Sequence, residues 1–129
     1  MALPNSKSMD MRGLELEAKI FTAVPGETAT VTQLTNRTTD VTLNATAGQI
    51  TTDDASLAAA AEATFTVNNS YVTAKSVVLV SHASGGAGTP FVFVSAVAAG
   101  SFDITVTNLH ASTANDAADV INFVVMDVI

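Results

Sequence analysis

The chain has 129 residues, of which 48% are hydrophobic and only 13% charged, and it carries a formal net charge of −7. That length supports one domain with a working core. No apolar run approaches the roughly 20 residues of a membrane-spanning helix, and the excess of acid disfavours nucleic acid and anionic membranes as partners, which select for Lys and Arg.

The charge is divided unevenly. Up to Arg37 four acids (Asp10, Glu15, Glu17, Glu27) balance four bases (Lys7, Arg12, Lys19, Arg37). From Thr38 onward there are eight acids and one base, Lys75. The mean hydropathy of +0.39 is carried largely by Ala and Val. With so few charges, this apolar excess has to be buried in the fold or against other chains, as in an assembly subunit. There is no cysteine, hence no disulfide, thiolate chemistry or Cys-based metal site.

Residues 1–13, MALPNSKSMDMRG, are polar and lack the apolar core of a secretory signal. They predict an extended N-terminal arm on a chain that stays in the cytosol where it is made, or leaves by lysis. In LELEAKIF (14–21), Leu, Glu and Ala favour helix, but Leu14, Leu16, Ala18 and Ile20 recur with period two. The Pro25-Gly26 turn that follows tips the reading to a strand. ATVTQL (29–34), VTLN (41–44) and GQIT (48–51) are Thr- and Val-rich short strands. ASLAAAAEA (55–63) is Ala-rich but too short for a stable isolated helix, so a single helical turn or packed loop is expected.

In FTV (65–67), Phe65 and Val67 share a face. SVVLVSH (76–82) is apolar on both faces and reads as a central strand. SGGAG (84–88) reads as a hairpin tip, and TPFVFVSAVA (89–98) as the next strand. Ala99-Gly100-Ser101 is a tight turn. FDITVTN (102–108) is the cleanest amphipathic strand, with Phe102, Ile104 and Val106 on one face. HASTANDAAD is a polar loop, and VINFVVMDVI closes the domain. The sum is an all-β fold. We expect an antiparallel β-sandwich, jelly-roll or immunoglobulin-like, of about eight strands spanning 14–129 behind the 1–13 arm. No β-α-β alternation is present, which removes the doubly wound classes.

Candidate reactive residues are sparse. His82 and His110 sit near loops at a spacing that fits no ligand motif, and a structural or exposed role is expected for both. Asp53-Asp54 and Asp116/Asp119 lack calcium-loop spacing and read as solvated turn acids. Asp103 falls on the solvated side of its strand. SGGAG has no Gly-Lys-Ser/Thr and no following helix, so phosphate binding is not supported. There is no Gly-x-Ser-x-Gly elbow. The triplets beginning at Asn36, Asn44 and Asn68 match Asn-x-Ser/Thr, as chance allows in a Thr- and Asn-rich chain. With no Trp and one Tyr, Tyr71, there is little to stack a sugar, and the six Phe are expected in the core. No catalytic residue, metal site or cofactor is expected, and the chain does not read as an enzyme.

The segments TQLTNRTTDVTLNATAGQIT (32–51), AEATFTVNNSYV (61–72), VSAVAAGSFDITVTN (94–108) and INFVV (121–125) resemble a group of small virion structural proteins of tailed bacteriophages, including cyanophages. The likeness leaves the first ~30 residues unmatched. Its motifs are structural, so it implies a fold and a virion role and no catalytic residues. Within the virion it points to a capsid decoration ("cement") protein. Such a protein typically sits as a homotrimer on the outer capsid surface, where major capsid protein subunits meet. A head-fibre or tail-fibre module is the first rival, though no heptad shaft is present. A jelly-roll enzyme is the second, and it would need convergent His or carboxylate ligands.

Overall fold

Alternation of Thr or Ser with Val, Ile or Phe fits a pleated surface buried on one side. The computed structural model describes residues 28–127, and over that range the alternation becomes eight strands with no helix. They are β1 (Thr28–Thr32), β2 (Val41–Thr42), β3 (Ala47–Thr51), β4 (Glu62–Asn68), β5 (Ser76–Gly85), β6 (Pro90–Ala98), β7 (Ser101–Asn108) and β8 (Asp119–Asp127). The expected arm and the 14–21 strand lie outside the described residues.

The strands form two four-stranded sheets, in the orders β1-β3-β8-β5 and β2-β4-β7-β6. Their inner faces share one core. Ile50, Ile121, Phe123 and Val125 contribute from the first sheet, and Phe65, Val67, Phe102, Ile104 and Val106 from the second. The rings of Phe102 and Phe123 meet across the layers, with centroids 5.4 Å apart and tilted by 56°. The all-β, sandwich-like arrangement is therefore as the sequence indicates.

The expectation of purely antiparallel sheets needs correction. β1 pairs with β3 in parallel, and β2 with β4 in parallel. Parallel neighbours require a crossover, and here each pair uses a strand of the opposite sheet. β2 carries the chain back between β1 and β3, and β3 does so between β2 and β4. The remaining pairs are antiparallel.

Other local readings divide. Val67, Phe65 and the β7 row of Phe102, Ile104 and Val106 are buried as expected. The two-residue turn Ala99-Gly100 joins β6 to β7, with Ala98 opposite Ser101 and Gly100 at φ 85°. The Ala-rich stretch is a packed loop, in which Leu57 bridges to Asn115 and Ala61 N–H donates to the Ala58 carbonyl. SGGAG is not a hairpin tip, because β5 and β6 lie in opposite sheets. β5 is not central either. It is a sheet edge whose second apolar row, Val77 and Leu79, is exposed.

Candidate functional site

The inward rows of the strands end in polar residues. Two-residue parity continues Val31 to Gln33, Ile50 to Thr52, Val80 to His82, Val106 to Asn108 and, backwards from Ile121, to Asp119. All these strand ends lie at one end of the sandwich. The four connections there (residues 33–40, 52–61, 86–89 and 109–118) close over them.

The centre of this end is Asp119, fully buried. Its Oδ2 accepts from Arg37 Nη1 at 2.9 Å and from Asn115 Nδ2 at 2.8 Å. Its Oδ1 lies 3.0 Å from His82 Nε2. A carboxylate only accepts, so Nε2 of His82 carries the proton in this contact. Arg37, 5% exposed, spreads its fork over two other loops, 52–61 and 109–118, besides Asp119. Nε donates to the Ala55 carbonyl, Nη1 also reaches Thr52 Oγ1 at 3.4 Å, and Nη2 reaches the carbonyls of Asn115 at 3.3 Å and Ala117 at 2.7 Å. Thr52 Oγ1 in turn accepts the Asp119 backbone N–H at 2.9 Å. Asn115 Oδ1 accepts from Ala87 N at 2.7 Å, which ties in the 86–89 loop.

Satellites extend the cluster. Asn108 donates to the carbonyls of Leu57, Ala58 and Thr113 and accepts from Thr89 and His110. Gln33 donates to the Thr39 carbonyl and accepts from Asp53 N. Among the described residues every buried side-chain nitrogen and oxygen has a partner. A buried ion pair with all its remaining hydrogen bonds made holds loops in one arrangement. Its chemistry is that of a clamp.

The sequence candidates are scattered around it. His82 is 26% exposed and belongs to the clamp. His110 Nδ1 accepts from Ser112 N and Thr113 N, so it organises its own loop. Asp53 Oδ1 accepts from Ala55 N, and Asp54 and Asp116 are exposed. Asp103 is half-buried and accepts from Thr66 Oγ1 across β4 and β7 at 2.8 Å. The reading of Asp119 as a solvated turn acid is overturned. Its place on the inward parity of β8 is the signal that finds it, and the same parity finds His82. Arg37 carries no such signal, since it lies in a loop 82 residues from its partner. Asn36 and Asn44 accept backbone N–H groups of Thr38 and Ser70 in exposed turns. No three His, Asp or Glu side chains converge at metal-holding distance among the described residues.

A second feature lies on the outer face of the first sheet. Val77 is 41% exposed and Leu79 51%. They stand opposite Met126 and Val124, which are half-buried on the same face. Beyond this apolar strip the face turns polar, with Gln49 bonded to Asn122 at 2.9 Å and then the threonines of β1. The outer face of the other sheet carries a hydroxyl row, Thr64–Thr105–Ser95, linked at 2.7 and 2.9 Å. Phe91, 52% exposed, flanks this row and packs on Phe93 with ring centroids 5.8 Å apart, so not every Phe is core.

Compared with known proteins, the chain matches no family model, no curated protein and no solved structure.

Proposed function

We propose that this chain is a capsid decoration protein of a tailed bacteriophage, bound to the outside of the head where major capsid subunits meet. The observation that carries the reading is the outward apolar strip of exposed Val77 and Leu79 beside half-buried Val124 and Met126, on a domain with so few charges. Apolar side chains held on a rigid sheet suit burial against a partner protein. The likeness of residues 32–51, 61–72, 94–108 and 121–125 to phage virion proteins supplies the kind of partner. Assembly as a homotrimer would place three such strips around a symmetry axis against the shell, and binding only to the closed lattice would stabilise it by mass action.

Surface charge favours protein over polyanion as the partner. Among the described residues Arg37 is buried on Asp119, which leaves Lys75 as the exposed cation beside Asp40, Asp54, Glu62, Asp116 and Asp127. Of the two sandwich classes, the jelly roll fits better. Among successive connections only β6–β7 stays within one sheet, whereas an immunoglobulin-type sandwich keeps its first two strands together. Residues 1–13 would serve as an arm along the shell or between subunits.

The test is the composition of purified particles of the encoding phage. A decoration protein is present at a copy number comparable to that of the major capsid protein, on the head. A handful of copies, or density on the tail, would refute the proposal in favour of a fibre or tail module.

A further inference from the structure

Charge avoids one flank of the sandwich. β5 and β6 end their sheets on the same side and lie against each other there. Over 76–85 and 90–98 neither contains Asp, Glu, Lys or Arg. The one histidine between them, His82, is bonded to Asp119. On the neighbouring β7, Asp103 bonds Thr66 of β4, away from β6. Lys75 and Asp127 mark one end of the flank, where Asp127 accepts from Ser76 Oγ at 2.7 Å. The exposed acids Asp40, Asp54, Glu62 and Asp116 lie in loops and on β4. The same flank is apolar. Val80 of β5 and Val94 and Val97 of β6 pack on the core but stay half-buried, because each belongs to an end strand. Round the edge of β6, exposed Phe91 packs on half-buried Phe93. Pro90 and the register shift between Val94 and Ala96 blunt β6 as a template for strand addition, so side chains make the contact here.

We propose that the β5–β6 flank, centred on Phe91, Phe93, Val94, Val97 and Val80, is where a second copy of this chain docks. Charge selects that partner. A chain of net charge −7 repels its own copies. Contact through the loop end or the outer face of the second sheet sets acid against acid, whereas the flank joins two copies without like charges. It also offers a charged partner nothing to pair with. The dimensions suit the role. β6 has nine residues and is about 30 Å long, the span of a standard interface of about 800 Å² per partner, which is about 28 Å across. The outer face of the first sheet is uncharged too. Its apolar strip meets the shell in the proposed function, and to that extent the assignment of the flank to a sister copy rests on that reading.

The test is sedimentation of the full chain, free of capsids, from micromolar to millimolar concentration. It should self-associate. Raising the ionic strength from about 0.01 to about 0.15 M shortens the screening length from about 30 to about 8 Å. Association should tighten, because repulsion between the acidic bodies is screened and the apolar contact is not. Phe91→Glu should weaken association at least about thirtyfold, the mark of a hot-spot residue. The milder Phe91→Ser should act in the same direction and decides the matter if Phe91→Glu fails to fold. Ser56→Glu adds the same charge on an exposed loop and should stay within about threefold of the native chain. A monomer throughout, association weakened by salt, or equal losses from Phe91→Glu and Ser56→Glu would overturn the proposal. So would association lost in Leu79→Asp but kept in both Phe91 variants, which would place the joint on the first sheet. Failure of the native chain to attach to capsids would instead remove the virion reading and leave the sedimentation result standing.

Discussion

Arg37 holds four carbonyl or side-chain oxygens of two loops in addition to Asp119. Removing one partner of a buried ion pair strands the other charge, at a cost of about 3–5 kcal/mol. Arg37→Met should therefore lower the urea midpoint by that equivalent with an unchanged m value. Arg37→Lys should recover little, because a single ammonium cannot reproduce a planar fork spread over two loops and Asp119. A variant within about 1 kcal/mol of the native chain would show that the clamp is dispensable. At this scale the sequence was only partly legible. Period-two parity puts Asp119 and His82 on inner faces, but a solvated reading is the default for an acid in a polar loop. The identity of the cation is a matter of long-range closure.

At the scale of elements, two glycines in left-handed conformations separate local from tertiary control. Gly100 at φ 85° turns the β6–β7 hairpin, and a Cβ there would meet nothing within 4 Å. Gly86 at φ 76° lies in the β5–β6 crossover, and its Cβ would stand 2.1 Å from Asp119 Oδ1. Both Ala variants incur the left-handed penalty of roughly 1–2 kcal/mol. Gly86→Ala must also displace the carboxylate from His82, adding about 1.5–3 kcal/mol for a charged hydrogen bond. Thermal or urea unfolding should rank Gly86→Ala clearly below Gly100→Ala, and equal losses would contradict the packing of Asp119 under the crossover. The hairpin was readable because Ala-Gly-Ser between two alternating runs is a local signal. The crossover was misread because loop chemistry does not say which sheet the next strand joins.

For the whole molecule the decisive distinction is between the two apolar surfaces. Ile104 is fully buried between the sheets, so Ile104→Asp buries an unpaired charge and should cost on the order of 4 kcal/mol or more, read from the unfolding midpoint. Leu79 lies on the outer face, so Leu79→Asp should cost less than about 1 kcal/mol. Under the proposed function it should still abolish or strongly weaken attachment to purified capsids. Native-level attachment by a folded Leu79→Asp chain would remove the apolar strip from the proposed interface.

The sequence by itself determined the fold class, most strand positions, the inward row of β7 and the turn at Gly100, because alternation and turn chemistry are local. Only the tertiary structure decided that two pairs of strands run parallel, that SVVLVSH and TPFVFVSAVA are edges with exposed apolar sides, and that Arg37, Asp119, Asn115 and His82 form one cluster. Each of these depends on which distant segments become neighbours. An alternating run looks the same at the centre of a sheet as at its edge, and strand direction follows from the crossovers through the opposite sheet.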